Sequence, residues 1–129
     1  MQKKASEAPQ LLNDIEHLHE HFDKQVLIEK LGLNMSFVYE ILALGEEDLN
    51  INIKLIYNHL EYNQWNEIKL LVHKIKGTAV AIGFQRLRQL TVNFENNSLS
   101  SNPDLSQHLE AIAAEIHFLN EQIFNKLKQ

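Results

Sequence analysis

The chain contains no cysteine. A disulfide framework, a zinc–thiolate site and a thiol nucleophile are therefore all excluded, and the absence fits a cytoplasmic setting. Glycine and proline are scarce, at four and two in 129 residues, so nothing reads as a ladder of short strands and tight turns. No apolar run approaches the roughly 20 residues that a membrane-spanning helix requires, so no membrane association is expected. The opening stretch MQKKASEAPQ has lysines but no apolar segment behind them, and it does not read as a secretory signal. Residues 1–8 are expected to form a flexible tail, and 9–129 a single domain long enough to bury a core without staples. A net charge of −5 argues against nucleic acid as the principal partner.

What is present is helical periodicity from end to end. Leu11, Leu12, Ile15, Leu18 and Phe22 line one side of a first short segment. Asp23 reads as the N-cap of a second, KQVLIEKL, which Gly32 ends. A long helix follows from Ser36 to Glu61, with Leu49, Ile53, Ile56 and Leu60 on one stripe and an unexplained glycine, Gly45, inside it. Asn63 suits a left-handed break. Trp65 opens the next helix, which runs to about Ile82 and stops at Gly83. Another runs from Phe84 to about Leu99, with Leu87, Leu90, Thr91 and Phe94 inward. The loop SLSSNPD leads to a last helix capped by Asp104 or Ser106. Its stripe is Leu105, Leu109, Ile112, Ile116, Leu119, Ile123 and Leu127. Four substantial helices with short connections predict an all-α fold: an antiparallel, up-down four-helix bundle led by one or two short N-terminal helices. A monomer is expected.

The helix opened by Trp65 carries the chemistry. Between Lys69 and Arg88 lie five basic residues, Lys69, Lys74, Lys76, Arg86 and Arg88, and none of the chain's seventeen acidic ones. Within this basic island sits His73. On a helical wheel Ile68, Leu71, Val72, Ile75, Ala79 and Ile82 form the core face, and His73 lies about 140° from its centre. Leu70, Gly77, Val80 and Phe84 share the outward face with it. A solvated face is normally polar; small and apolar residues around an imidazole suggest a docking surface instead. Gly77 costs about 1 kcal/mol relative to alanine in a helix interior. Its position one turn beyond His73 is explained if something bulky must reach the ring.

Imidazole is both neutral and nucleophilic near pH 7. Lys76, three residues on, disfavours imidazolium and can pair with an attached phosphoryl group. The chemistry that fits is phosphorylation of His73 on a ring nitrogen. Elsewhere, His17 and His21 in HLHEH stand one turn apart and could share a metal, but no third ligand accompanies them, and no metal site is expected. The chain has no P-loop, no glycine-rich nucleotide box and no Ser/His/Asp arrangement, so no kinase activity of its own is expected.

The stretch VHKIKGTAVAIGFQRLRQLTVNFE, Val72 to Glu95, resembles the signature of histidine-containing phosphotransfer (HPt) domains. The matching positions are His73, Lys76, Gly77, Gly83 and Glu95. The upstream order also matches: FDKQVLIEKL, a long helix, a turn, then Trp65. Gly45 departs from the family, which usually carries a large apolar residue there. The resemblance covers roughly Phe22 to Leu127. It implies a phosphorelay intermediate, with His73 as phosphoacceptor, Lys76 as its charge partner and Gly77 as the access position. Its partners would be receiver domains and a hybrid sensor histidine kinase, and the receiver would supply Mg²⁺ and most of the catalysis. Lys69, Leu70, Lys74, Val80 and Phe84 are the expected docking residues, with the basic island steering toward the aspartates of a receiver. The alternative is a helical interaction module that binds a receiver or kinase without becoming phosphorylated.

Overall fold

Asn34 starts the first long helix. Its Oδ1 accepts the backbone N–H of Phe37 at 3.3 Å, which satisfies one of the orphan donors of the first turn. The computed structural model describes residues 16–32, 34–99 and 104–128. The expected tail, the apolar residues Leu11, Leu12 and Ile15, and residues 100–103 of the SLSSNPD loop lie outside the described residues.

A short 3-10 turn, Glu16–Leu18, precedes α1, Gln25–Leu31. The long helices are α2, Met35–Leu60; α3, Trp65–Ile82; α4, Gln85–Asn97; and α5, Leu105–Leu119. The chain continues from α5 through a π-helical turn, Asn120–Phe124, into a last turn, α6, Asn125–Leu127. No strand occurs among the described residues. The four long helices pack in chain order as the expected bundle, with the short N-terminal elements across one end.

Each helix buries a stripe. In α2 the buried residues are Val38, Leu42, Gly45, Leu49, Asn52 and Ile56, spaced by threes and fours. In α3 they are Ile68, Leu71, Val72, Ile75, Ala79 and Ile82, the core face read from the wheel. Leu87, Thr91 and Phe94 of α4 and Leu105, Leu109, Ile112, Ile116 and Leu119 of α5 complete the core. Asp23 is not itself the N-cap of α1, a position held by Lys24, but its Oδ1 accepts the Gln25 N–H at 3.1 Å. Asn63 has a positive φ of 53°.

Gly45 acquires a reason here. A Cβ built on it would run into Cδ1 of Ile82, so the glycine leaves room for the end of that side chain at the α2–α3 contact.

Gly83 does two things. Its φ of +100° ends α3, with its N–H bonded to the Ala79 carbonyl. A Cβ there would also stand 2.5 Å from the Asp23 carbonyl oxygen, which belongs to the N-terminal strap lying over this turn. The strap is pinned by the Asp23 N–H to the Gly83 carbonyl at 2.8 Å and by Lys30 Nζ to the Ala81 carbonyl at 3.1 Å.

The same turn corrects one expectation. Phe84, placed by the wheel on the exposed face with His73, is fully buried. The helix ends before that position, and the left-handed turn at Gly83 swings the ring inward. There it packs between Phe22, at 5.4 Å, and Phe124, edge-on at 5.7 Å. Phe84 belongs to the core and not to a docking surface.

Candidate functional site

His73 stands on the outward face of α3 with its side chain 68% exposed. Its surroundings come from two helices. Thr91 and Phe94, both buried, press α4 against the bundle and bring Glu95 to the α3–α4 boundary. Glu95 then bridges two residues of α3: Oε2 lies 3.0 Å from Nδ1 of His73, and Oε1 lies 2.6 Å from Nζ of Lys76.

Two opposing influences act on the Glu95 carboxyl. Burial pushes its pKa up, but the hydrogen bonds and positive charges of Lys76 and His73 outweigh burial and hold it below its ordinary value. Glu95 is therefore an ionised acceptor near neutral pH. An acceptor at that position requires the proton on Nδ1. In the neutral ring the free lone pair then sits on Nε2, the nitrogen that Glu95 does not hold, on a side chain that is mostly exposed.

The space over the ring is open. Nothing lies within 4 Å of a Cβ built at Gly77. Helical side chains lean toward the N-terminus, so any side chain at position 77 would cover the turn that bears His73. Leu70 and Val80 are 64% and 50% exposed on the same face. Two concavities flank α3. One is a shallow depression lined by His59, Glu67, Leu70, Leu71, His73 and Lys74. The other is a groove of about 420 Å³ between α2 and α3, whose walls include Leu44, Gly45, Ile51, Thr78 and Ala81. Leu44 and Ile51 are exposed and, with Leu55, add an apolar wall from α2.

Of the residues singled out from the sequence, His73, Lys76 and Gly77 come together at one site, and Lys69, Leu70, Lys74 and Val80 surround it. Arg86 does not join them: its Nε lies 3.9 Å from Oε1 of Glu115, a buried carboxylate on α5. His21 donates from Nδ1 to the other oxygen of Glu115 at 2.7 Å and stacks on Phe118, so it belongs to a strap contact rather than to a pair with the exposed His17. Glu95 is the functional residue that pattern reading passed over. It marks the end of the family signature, but its role as a bridge needs the α3–α4 packing. One signal was available: Glu95 is four residues after Thr91, on the flank of an inward stripe, where a carboxylate calls for a cationic partner.

The family model for the Hpt domain matches residues 40–119, which include the whole of α3 and α4. The chain is also similar to a pseudo histidine-containing phosphotransfer protein 6 of Arabidopsis thaliana. The two are 28% identical over 92 residues, 68% of this chain and 60% of the relative. The chain thus spans less than two thirds of that relative's length. No solved structure matches the chain. A histidine on an open helix face, held by a glutamate that a lysine also holds, in a helical bundle matched over 40–119, leads to one assignment: the chain belongs to the Hpt domain family.

Proposed function

We propose that the protein is a phosphorelay intermediate that carries a phosphoryl group on Nε2 of His73 between the aspartates of receiver domains. The observation that carries this reading is the Glu95 bridge, which fixes the proton on Nδ1 and leaves Nε2 as an exposed nucleophile.

In the forward step the Nε2 lone pair attacks the phosphorus of a receiver's acyl phosphate. A P–N bond forms as the P–O bond to the aspartate breaks, and the electron pair leaves with the aspartate carboxylate. Positive charge develops on the ring, and Glu95, bonded to Nδ1–H, meets it with an ionised carboxylate. No proton has to leave the ring. The reverse step delivers the group to a second receiver. Mg²⁺ and the in-line geometry come from the receiver, and a hybrid sensor kinase stands upstream. Among the described residues no helix is long and apolar enough to cross a membrane.

The name of the Arabidopsis relative keeps a second reading in play: a bundle that binds a receiver or kinase without accepting phosphate. His73, with its oriented ring and open approach, supports transfer. The deciding experiment is incubation with a phosphorylated receiver domain. Wild type should acquire an acid-labile, alkali-stable label that His73→Gln lacks, with unchanged helicity. A label that persists in His73→Gln defeats the assignment of the acceptor. Binding of the receiver with no label on wild type favours the interaction module.

A further inference from the structure

A phosphoryl group on Nε2 of His73 brings a charge of about −1.5 to −2 near neutral pH and three acceptor oxygens. It needs cations, and the cations around His73 are not equivalent. Lys76 is committed: its Nζ lies 2.6 Å from Oε1 of Glu95, and both side chains are largely covered. Moving it to a phosphoryl group would strip Glu95 of its cation. Arg86 is turned toward Glu115.

Lys69 and Lys74 have no carboxylate partner and no side-chain hydrogen bond among the described residues. Lys69 lies one turn before His73, in the i, i+4 relation that makes helical neighbours, and the imidazole leans back over that turn. Lys74 lines the same depression as His73, together with Leu70 and Glu67. Nδ1 is held by Glu95, so Nε2 is the ring nitrogen left for the phosphoryl group, and Lys69 and Lys74 stand on either flank of the exposed ring with no carboxylate to hold them.

We propose that Lys69 and Lys74 hold the phosphoryl oxygens of phosphorylated His73, while Lys76 stays on Glu95 as a positioning residue. The inference rests on the reading of His73 as phosphoacceptor. The basic island then has two separate roles. Lys76 holds the residue that orients the ring, and the two unpaired lysines meet the product.

The test needs no partner protein. The full chain is phosphorylated with potassium phosphoramidate, and the phosphohistidine signal absent from His73→Gln is followed by ³¹P NMR against pH. A cation at the oxygens holds the phosphoryl group in its dianionic form to lower pH. Lys69→Ala and Lys74→Ala should each raise its titration midpoint by roughly 0.3 to 0.5 pH unit, and the double variant by more. Lys76→Ala should leave that midpoint in place and raise instead the midpoint of the Glu95 carboxyl, read by ¹³C NMR. A phosphoryl midpoint that moves in Lys76→Ala and not in the other two overturns the separation of roles. A wild type that yields no His73-dependent phosphorus signal overturns the phosphoacceptor reading itself, and the two failures are distinct in the spectra.

Discussion

Oε2 of Glu95 lies 3.0 Å from Nδ1 of His73, across the interface between α4 and α3. The two stand 22 residues apart in the chain, and the turn at Gly83 is what folds them together. The contact turns an exposed histidine, whose proton can sit on either ring nitrogen in solution, into one with an assigned proton and an assigned nucleophilic atom.

The first prediction follows from that contact. Glu95→Gln can still offer an amide oxygen to Nδ1–H, so the tautomer survives, but the charge that meets the developing imidazolium is lost. Charge-assisted bonds are roughly twice as strong as neutral ones. A loss of about 1.4 kcal/mol in the transition state slows transfer roughly tenfold. Glu95→Ala removes orientation as well and should be slower still. Single-turnover transfer from a phosphorylated receiver gives the rates, and circular dichroism checks the fold. Rates equal to wild type in both variants would make Glu95 a bystander.

A second carboxylate behaves in the opposite way. Glu115 is 5% exposed, and burial pushes its carboxyl above the ordinary value against the opposing pull of His21 and Arg86. A raised folded-state value means that the fold prefers the protonated form. The contribution to stability is favourable below the ordinary value of 4.5 and is lost as pH rises through the raised one. Glu115→Gln keeps an oxygen for the His21 donor and removes the buried charge. Its melting temperature should equal or exceed wild type at pH 7, with the advantage shrinking as pH falls toward 4.5. A melting temperature well below wild type at pH 7 would show that the ion pair with His21 outweighs burial. Glu95, whose value is lowered, contributes with the other sign: its stabilisation is present above its ordinary value and is lost as pH falls through the lowered one.

Phe84 yields a third prediction. The ring is fully buried between Phe22 and Phe124, where it joins the N-terminal strap to the π-helical turn after α5. Phe84→Ala leaves a cavity and should cost about 3–5 kcal/mol of stability. Chemical denaturation should show this as a lower midpoint with little change in slope. A variant of normal stability with weakened receiver binding would return Phe84 to the surface.

The helices were legible because their stripes repeat every three or four residues, and burial follows that spacing in α2, α3, α4 and α5. His73, Lys76 and Gly77 were legible because they break the expected character of an outward face. Three features were not. Phe84 was misplaced because a wheel has no knowledge of where a helix stops. Gly45 had no explanation because its constraint is Ile82, on another helix and far along the chain. The π-helical turn at Asn120–Phe124 was hidden because Ile116, Leu119, Ile123 and Leu127 keep an unbroken apolar rhythm through it. What holds that turn is a reciprocal amide pair, Asn50 to Asn120, at 3.0 and 2.9 Å, which only tertiary packing creates.

The last prediction sets two helical glycines against each other. Both cost helix propensity, and alanine recovers up to about 1 kcal/mol where the new methyl has room. At Gly77 it has room, since nothing lies within 4 Å of the Cβ position. Gly77→Ala should therefore raise the melting temperature, by roughly 3 °C for a domain of this size. At Gly45 the methyl meets Cδ1 of Ile82, the outer end of a side chain that must turn aside, so Gly45→Ala should gain less than Gly77→Ala, the shift of Ile82 offsetting part or all of the gain in helix propensity. The unequal gains test the difference between a glycine kept for packing and one kept for access. Gly77→Leu then separates access from everything else. Its side chain leans back over His73 without touching the core, so the bundle should keep its stability while transfer from a receiver is lost. Chemical labelling by a reagent as small as phosphoramidate should be reduced far less than transfer from a protein. A sharp fall in the melting temperature of Gly77→Leu would place Gly77 with Gly45 among the packing glycines, and unchanged transfer would leave its cost in the helix without a reason.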